Sequence, residues 1–373
     1  MTEARTDTPV RGSTPPESGD RSTLTLAQVL EHPALGPHDR MPTRYRGPRR
    51  VGGDGWTGFA TRLERGEELS LIRGLTAANR RVLDVGGGIG ELARTVAARI
   101  GHCTTIEPHA QLVESMQGGT TSDAVSVFAG TAEDLPFPDN SFDAVYGAWV
   151  LPFVDDLDKA VTEMVRVCDP NHPESKIVLI NGGAGSEVLK LFNEVCAPVS
   201  GDPYDHHGYL LATAARLLAE HGFDAFSLHR TEASVRFDEE SRAERAATAA
   251  AVLTGFWYET HPKAEDVRSA LEAALDHHFS ARPHAIGDQA AILVARPGSC
   301  PPQGGGAGGA SAPGRPPGCT TGPSCPVQFP RSRGRRCWTR GHGTVGSSTG
   351  PNCSRDCCRP AATADAPDSP VTS

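Results

Sequence analysis

The residues best suited to binding a ligand lie in one short glycine-rich segment. Asp84, Gly86, Gly88 and Gly90 stand at alternate positions, directly after a short apolar run and directly before a helical stretch. Glycine lets the backbone turn sharply and lets a ligand approach without meeting a side chain. The spacing G-x-G-x-G differs in its third glycine from the dinucleotide fingerprint G-x-G-x-x-G. The segment therefore predicts a ligand-binding turn, with a tight turn that holds no ligand as the alternative.

A second chemical feature is the carboxylate of Glu107, which follows the next predicted strand and stands 17 positions after Gly90. In nucleotide-binding α/β folds, a carboxylate at this place accepts hydrogen bonds from ribose hydroxyl groups. Taken alone, Glu107 would be interpreted as a solvated loop acid. Because the glycine-rich turn precedes it, we favour a role in ligand binding.

Short apolar runs alternate with helical periodicity through the middle of the chain. Predicted strands cover 81–85, 103–106, 124–129, 142–146, 176–181 and 289–296, and 225–237 is predicted to be extended. Predicted helices cover 25–32, 56–75, 90–100, 109–116, 157–167, 188–196, 209–221, 241–253 and 264–279. Strands that alternate with helices predict a parallel sheet covered on both faces. The two late extended segments predict that an antiparallel edge strand finishes the sheet.

Together these segments resemble a class I S-adenosylmethionine-dependent methyltransferase domain, of the type found in ubiquinone and menaquinone biosynthesis enzymes. The resemblance runs from about residue 80 to residue 182 and continues more weakly to residue 297. It implies a Rossmann-like, doubly wound α/β fold with a mostly parallel seven-stranded sheet and an antiparallel last strand. It also implies S-adenosyl-L-methionine as the cofactor.

The resemblance assigns cofactor-binding residues one by one. The acid and the alternate glycines of the segment 84–90 match the first motif of the family, and Glu107 matches the acid that binds the ribose. Thr131, Ala132 and Glu133 match the loop that lies over the adenine. Many relatives carry an acid at the position of Thr131. The adenine amino group would therefore meet the Thr131 hydroxyl here, or a carboxylate of Glu133 or Asp134.

Transfer of a methyl group to a hydroxyl would also need a base, and histidine is the usual base near neutral pH. The segment 204–209 is the densest cluster of proton-transfer groups in the chain and contains Tyr204, His206 and His207. It follows the fifth predicted strand, on the side where open α/β sheets bind ligands. We therefore predict His206 and His207 as catalytic residues, with a polar surface loop as the alternative.

Aromatic residues supply the candidates for a substrate pocket. Trp149 follows the fourth predicted strand, where relatives often have a histidine-rich stretch, and Tyr204 accompanies the two histidines. Tyr258 ends an aromatic group that could stack on a flat substrate. We predict all three as pocket residues, although Trp149 and Tyr258 could equally be core aromatics. Trp56, flanked by glycines, could belong to a lid.

Charge and hydropathy limit the classes of partner. The net charge is −9, and the residues after 298 contribute +5, which leaves −14 for residues 1–298. Affinity for nucleic acid depends on Lys and Arg, so we predict no nucleic-acid partner. The chain has no run of about 18 apolar residues and no apolar leader region. We therefore predict no membrane association and a cytoplasmic location.

The two ends differ from the centre in composition. We predict that residues 1–50 are mostly disordered, that residues 51–297 form the methyltransferase domain, and that residues 298–373 form a disordered Pro/Gly/Arg/Cys-rich tail. The tail could also be a stretch read in a shifted frame. It holds seven of the ten cysteines but lacks the two C-x2-4-C pairs typical of zinc sites, so we predict no metal.

The sequence therefore predicts an enzyme that transfers a methyl group to an O, N or C atom of a small molecule. The composition, biased towards Arg, Ala, Gly and Pro, fits an enzyme of natural-product metabolism. Two alternatives stay open: a nicotinamide-dependent oxidoreductase on a similar fold, and a non-catalytic scaffold that binds the cofactor. The acceptor atom, the substrate and the oligomeric state are not predicted.

Overall fold

A seven-stranded sheet forms the centre of the computed structural model, which describes residues 23–47, 53–118 and 123–298. The strands are β1 (Leu63–Glu64), β2 (Val82–Val85), β3 (Cys103–Glu107), β4 (Val125–Ala129), β5 (Ala144–Ala148), β6 (Lys176–Gly182), β7 (Ala225–Thr231), β8 (Ser234–Arg236), β9 (Ala285–Gly287) and β10 (Ala290–Arg296). The helices are α1 (Leu26–Leu30), α2 (Gly53–Ala60), α3 (Gly66–Leu75), α4 (Glu91–Ile100), α5 (Ala110–Gly118), α6 (Leu157–Val167), α7 (Glu187–Leu191), α8 (Ala197–Ser200), α9 (His207–Glu220), α10 (Arg242–Tyr258) and α11 (Ala264–Ala281). A π-helical turn, Phe192–Cys196, joins α7 to α8.

The strand order of the large sheet is β4–β3–β2–β5–β6–β10–β7. Strands β2 to β6 pair in parallel, and β10 pairs antiparallel with both β6 and β7. This order confirms the predicted doubly wound, Rossmann-like fold with an antiparallel last strand. The expectation that the last strand forms the edge is wrong. Residues 290–295 of β10 are buried, whereas β7 is mostly only partly buried and takes the edge.

From β2 the chain adds β3 and then β4 on one side of the sheet, and it then returns to add β5 on the other side of β2. The strand order therefore reverses between the neighbouring strands β2 and β5. In open α/β sheets, ligands bind outside the carboxyl ends of the strands at such a reversal. Every residue of β2 and of β6 is buried, as expected for strands covered on both faces. The core strands therefore hold the loops at this edge in fixed positions.

Helices cover both faces of the large sheet. On one face α6 buries Leu157, Val161 and Met164, which share a core with residues of α9. The first turn of α6 is capped by Asp156, whose carboxylate accepts a hydrogen bond of 3.1 Å from the backbone N–H of Lys159. On the opposite face, α3 and α4 pack their apolar positions against the sheet.

The segment 23–47 packs onto the fold, although it lies within residues 1–50, which the sequence predicted to be mostly disordered. Val29 and Leu35 are fully buried in the same core as α6 and α9. Leu24 forms an antiparallel bridge with Phe226 of β7. The apolar side chains of this segment cover surface that the edge strand would otherwise leave exposed. Residues 1–22, 48–52 and 299–373, including the tail cysteines, lie outside the described residues.

The single helix predicted over 56–75 is also wrong, because the segment forms α2, β1 and α3. Leu63 and Glu64 pair with Val235 and Ser234 of β8, and β9 completes a small three-stranded sheet. Hydrogen bonds to a partner strand override the helical periodicity of the apolar residues at this point. The division leaves α2 free to pack on α10.

Helices α10 and α11 form a second core with the small sheet and the π-helical turn. The first turn of α10 has a capping box, in which the side chains and backbone N–H groups of Ser241 and Glu244 bond reciprocally. Helix α2 lies against α10 because Gly55 and Gly255 allow close approach: a Cβ on Gly55 would lie 2.1 Å from the Gly255 carbonyl oxygen. Among the described residues, no helix is long and apolar enough to span a membrane.

Candidate cofactor and acceptor site

The glycine-rich turn between β2 and α4 requires glycine at two of its positions. Gly86 and Gly88 have φ angles of +78° and +56°, in the left-handed region that favours glycine. A Cβ on Gly86 would lie 2.8 Å from Val150 Cγ2, and one on Gly88 would lie 2.9 Å from the Trp56 ring. Trp56, predicted as a lid residue, therefore contacts this turn. Side chains at the two glycines would collide with Val150 and Trp56.

Asp84 lies at the end of β2, directly before the turn, and is 1% exposed. Its Oδ2 accepts a hydrogen bond of 3.1 Å from the Thr105 hydroxyl, while Oδ1 is buried with no partner among the described residues. Burial raises the pKa of Asp84 to about 7, and the Thr105 hydrogen bond opposes this rise. A buried carboxylate with an unused oxygen fits a cationic ligand, since a nearby positive charge favours its ionised form.

Glu107 connects the end of β3 to the glycine turn. Its Oε2 accepts a hydrogen bond of 2.9 Å from the Gly88 N–H, and its Oε1 lies 3.1 Å from the His109 backbone nitrogen and 2.7 Å from His109 Nδ1. The residue is 4% exposed. A carboxylate has about four acceptor positions, so these contacts leave capacity for a further donor. The ribose contact stays a prediction.

The loop after β4 places its three predicted residues differently. Thr131 is exposed, whereas Ala132 is buried in the main core. Glu133 Oε1 accepts hydrogen bonds of 2.6 and 3.3 Å from the backbone N–H groups of Asp155 and Asp156. Glu133 therefore anchors the loop after β5. The cofactor contacts of these three residues stay predictions, and the geometry leaves Thr131 as the most accessible polar group of the three.

Trp149 follows β5 with a φ of +58°, an uncommon backbone conformation for a bulky residue. Its indole N–H donates a 3.1 Å hydrogen bond to Glu68 Oε2, and the carboxylate of Glu68 also pairs with Arg65 at 3.2 Å. Glu68 is fully buried, and burial raises its pKa despite the Arg65 charge. Strained backbone that surrounding contacts maintain is concentrated at functional sites. The indole therefore has a fixed position at the carboxyl edge of the sheet.

Neither Glu68 nor Arg65 was predicted from the sequence as part of the site. They stand near the start of a helix, where acidic and basic residues are common at exposed positions. Arg65 also contacts Glu91, the first residue of α4, with its Nε 2.9 Å from Glu91 Oε2. The sequence contains no signal for this connection, because it depends on how α3 packs on α4.

The two histidines predicted as catalytic residues occupy different environments. His206 Nδ1 accepts a 2.9 Å hydrogen bond from the Tyr209 N–H and caps α9, while Nε2 lies 2.7 Å from the Pro37 carbonyl oxygen. The ring is buried, and burial lowers its pKa. Since Nδ1 accepts and Nε2 donates, no ring nitrogen of His206 is free to take a proton. The structure thus gives His206 a capping role instead of the predicted catalytic one.

His207 has a different arrangement. Its Nε2 lies 3.2 Å from Asp205 Oδ2, and its Nδ1 is buried with no hydrogen-bond partner in the described part of the chain. The ring centroid lies 6.5 Å from that of Trp149. The structure therefore brings together Trp149 and His207, two of the predicted site residues, at the carboxyl edge of the sheet.

Tyr204 and Tyr258, both predicted as pocket residues, differ in position. Tyr204 lines a cleft of about 60 Å³ together with His206 and His207, and the Arg40 guanidinium lies 4.8 Å from its ring centroid. Tyr258 is 3% exposed and belongs to the second core, where its ring stacks on Phe192. The pocket assignment of Tyr258 is therefore not supported, because no face of its ring is available to a substrate.

Among residues 23–47, 53–118 and 123–298, no three His, Cys, Asp or Glu side chains are grouped so that they could hold a metal ion. The tail cysteines lie outside these ranges. The predicted site residues supply carboxylates, imidazoles, an indole and the backbone of the glycine turn.

Comparison with known proteins agrees with this geometry. Residues 83–172 match the family model for a methyltransferase domain. The chain is 36% identical over 139 residues to the O-methyltransferase rstn1 of Aspergillus nomiae, an alignment that covers 35% of this chain and 60% of that protein. It is 31% identical over 169 residues to the ubiquinone/menaquinone biosynthesis C-methyltransferase UbiE of Neisseria meningitidis, covering 43% of this chain and 62% of that protein.

The fold has counterparts among solved structures. The crystal structure of the YcgJ protein from Bacillus subtilis matches with a TM-score of 0.43 and 22% sequence identity, covering 62% of this chain and 99% of that chain. The chain spans less than two thirds of the length of the two curated relatives named above. Residues 83–172, which match the family model, contain the glycine turn, Glu107, the loop after β4 and Trp149.

Proposed function

We propose that the protein transfers a methyl group from S-adenosyl-L-methionine to an O, N or C atom of a small molecule, because residues 83–172 match the family model for a methyltransferase domain. The observation that carries the proposal is the glycine turn, in which Glu107 holds the Gly88 N–H and Asp84 keeps an unused buried oxygen. These features lie at the reversal of the sheet order, where ligands of open α/β sheets bind.

The residues at this edge fit the proposed cofactor. Gly86 and Gly88 keep the backbone of the turn free of side chains, since a side chain at either position would collide with Val150 or Trp56. The carboxylate of Asp84 suits a ligand that carries positive charge, as S-adenosylmethionine does at its sulfonium and amino groups. Glu107 suits the ribose hydroxyls, and Thr131 is an exposed polar group of the proposed adenine loop.

Bound S-adenosylmethionine would supply an electrophilic methyl group, and the protein's task would be to hold an acceptor in line with it. Correct positioning of two reactants can contribute as much as about 7–11 kcal/mol to lowering a barrier. Trp149 suits a positioning role, because Glu68 and its own backbone conformation fix the indole. Val150 and Trp56 close the space around the glycine turn and would exclude water from it.

A small-molecule acceptor agrees with the charge of the folded part. Residues 1–298 carry a net charge of −14, which disfavours a nucleic-acid substrate. The curated relatives include an O-methyltransferase and a C-methyltransferase of ubiquinone and menaquinone biosynthesis, both by name. A role in natural-product metabolism, in the cytoplasm, is part of the same proposal. It rests on the composition of the chain and on the variety of these relatives.

A turnover screen tests the proposal. The full chain is incubated with S-adenosylmethionine and, in separate reactions, with phenols, alcohols, amines, activated carbon acids, RNA and unfolded protein. Release of S-adenosylhomocysteine is measured by mass spectrometry. We expect release with a small-molecule class and none above background with the two macromolecules. Binding of S-adenosylhomocysteine without release in any reaction would instead support a non-catalytic scaffold.

A further inference from the structure

The imidazole of His207 is bound at one nitrogen and unoccupied at the other. We propose that His207, oriented by Asp205, is the base that accepts the proton of a hydroxyl group, so that oxygen is the acceptor atom. This inference rests on the proposed methyl transfer and adds to it the chemical class of the acceptor. It does not follow from the family resemblance, whose motifs end before this segment.

The contact with Asp205 defines which nitrogen would act. A neutral imidazole has one N–H donor and one acceptor nitrogen, and the hydrogen bond at one nitrogen decides the role of the other. Asp205 Oδ2 lies 3.2 Å from Nε2, and this neighbouring carboxylate favours the tautomer that carries its proton on Nε2. The lone pair then belongs to Nδ1, which has no partner among the described residues. The same carboxylate would stabilise the imidazolium formed when Nδ1 takes up a proton.

The backbone of Asp205 is fixed by the π-helical turn. Asn193 accepts a 2.7 Å hydrogen bond from the Asp205 N–H and donates one of 3.0 Å to the Asp205 carbonyl oxygen. A π-helical turn inside a helix is frequent at functional sites. Here it carries the amide side chain that holds the loop before α9. The two hydrogen bonds therefore support the position from which the carboxylate reaches His207.

The unoccupied nitrogen lies where β6 ends. A Cβ on Gly182, the last residue of β6, would be 2.8 Å from His207 Nδ1. Asn181 is fully buried, its amide nitrogen donates to the His207 carbonyl oxygen at 3.5 Å, and its Oδ1 has no partner among the described residues. His207 Nδ1 and Asn181 Oδ1 are thus two neighbouring buried acceptor atoms without a hydrogen-bond partner among the described residues. Such atoms are costly to leave unpaired, and a ligand that donates hydrogen bonds would satisfy them.

The surroundings of His207 connect it with the proposed methyl-transfer site. The His207 and Trp149 rings are in an edge-on arrangement, and Trp149 follows β5 beside the glycine turn. His207 also lines the cleft that contains Tyr204 and Arg40, through which an acceptor could enter. Asp288 lies close enough for the charge of His207 to act on its pKa, and its carboxylate accepts a 2.8 Å hydrogen bond from Ser186. His206, by contrast, has both nitrogens paired with the backbone.

Methyl transfer to a hydroxyl oxygen forms one bond, breaks one bond and releases one proton. The acceptor oxygen forms a bond to the methyl carbon while the carbon–sulfur bond breaks, and the electron pair of that bond stays on sulfur. The proton of the acceptor hydroxyl moves to His207 Nδ1, and the resulting imidazolium is paired with Asp205. Release of this proton to water restores the base. The overall products are a methyl ether, S-adenosylhomocysteine and one proton.

The first test reads the protonation of His207 without any turnover. The full chain is labelled with nitrogen-15 in its histidines, and the spectrum of His207→Gln identifies the His207 signals by difference. We expect a protonated Nε2 and an unprotonated Nδ1 at neutral pH. In Asp205→Asn we expect this tautomer preference to weaken, and in Asp205→Glu to persist. A protonated Nδ1, or a tautomer that is unchanged in Asp205→Asn, would overturn the assignment.

The second test measures turnover with the acceptor that the screen identifies. General-base catalysis is worth roughly 10²–10⁴-fold, so His207→Gln should lower kcat by about that factor. Asp205→Asn should lower kcat with little change in KM, and Asp205→Glu should restore part of the rate. The matched control is His277→Gln, at an exposed position of α11, which should leave kcat unchanged. A methyl group found on carbon, or full activity in His207→Gln, would overturn the proposal.

Titration with S-adenosylhomocysteine separates the two levels of the argument. His207→Gln and Asp205→Asn should bind it as tightly as the unchanged protein, because neither residue belongs to the glycine turn. If the unchanged protein fails to bind it, the proposed function fails, whatever the tautomer of His207. If all variants bind it and the tautomer is the opposite one, only the assignment of the base fails.

Discussion

Replacing Gly88 by alanine tests the glycine turn with the smallest possible side chain. Gly88 has a φ of +56°, and a Cβ there would lie 2.9 Å from Cη2 and Cζ2 of Trp56. The Gly88 N–H also donates the hydrogen bond to Glu107. Gly88→Ala therefore perturbs the turn, the indole above it and the carboxylate proposed to bind the ribose.

The magnitude follows from the backbone conformation. A residue with a Cβ in the left-handed region costs roughly 1–2 kcal/mol relative to glycine. If the turn relaxes in the free protein and must return to this conformation on binding, that free energy is lost from the affinity. At about 1.4 kcal/mol for each factor of ten, we expect binding of S-adenosylhomocysteine to weaken about 5- to 30-fold. Displacement of the Trp56 ring would add to this loss.

Gly222→Ala is the matched control. Gly222 has a φ of +84°, but a Cβ there would meet no heavy atom within 4 Å, and it lies outside the site. Isothermal titration should give unchanged affinity for Gly222→Ala and the weakened affinity for Gly88→Ala. Urea unfolding should show the full loss of stability in Gly222→Ala and a smaller loss in Gly88→Ala, because the turn of Gly88→Ala relaxes in the free protein. Equal affinities in the two variants would refute the placement of the cofactor at the glycine turn.

Four further predictions follow from individual contacts. Glu107→Gln should weaken S-adenosylhomocysteine binding by about 10- to 100-fold in titration, since hydrogen bonds to a charged group are worth about 1.5–3 kcal/mol; unchanged affinity would contradict the ribose role. Glu68→Ala should lower the free energy of unfolding in urea by about 1–3 kcal/mol, because it leaves buried donors without an acceptor, and an unaffected stability would argue against the indole anchor. Asp84 has a pKa raised by burial from 3.8 to about 7, so the folded state binds more protons between these values and its stability should fall as the pH rises towards 7. Urea unfolding at about pH 5.5 and 7.5 should show a smaller slope in Asp84→Asn than in the unchanged protein. The comparison is needed because Asp288, with a pKa raised to about 6, contributes a slope of the same sign, whereas His206 and His229, whose pKa values burial lowers, contribute the opposite sign. His206→Ala should cost about 0.5–2 kcal/mol of stability through loss of a helix cap without lowering kcat, and a large loss of kcat would restore His206 as a candidate base.

Much of the sheet was predictable because its strands are buried on both faces. The apolar run 176–181 predicted β6, and the alternation of such runs with helices predicted a parallel sheet. The position of β10 was not predictable in the same way. An apolar strand fits equally at an edge or between two strands. Only the pairing of β10 with both β6 and β7 shows that it occupies an inner position.

The helix predicted over 56–75 shows where periodicity misleads. Phe59, Leu63, Leu69 and Ile72 stand at roughly helical spacing, yet Leu63 belongs to β1. The pairing of β1 with β8 joins residues about 170 positions apart. A pattern read within a short window contains no information about such a partner, and tertiary contacts override local propensity.

The cofactor motif was visible in the sequence because glycine positions and strand ends are local features. The environment of the histidines was not. His206 and His207 are adjacent and chemically identical, but the first is paired with Pro37 and Tyr209 and the second with Asp205. Pro37 lies in the segment that was predicted to be disordered. The difference between the two rings therefore depends on a contact 169 positions away.

The most direct test of the central claim is isothermal titration of the full chain with S-adenosylhomocysteine, with NAD as the control ligand. The proposed methyl transfer, with the G-x-G-x-G turn and Glu107 as the proposed cofactor site, predicts micromolar binding of S-adenosylhomocysteine at one site per chain and no binding of NAD. Binding of NAD, or no binding of S-adenosylhomocysteine by a sample shown to be folded, would contradict the claim.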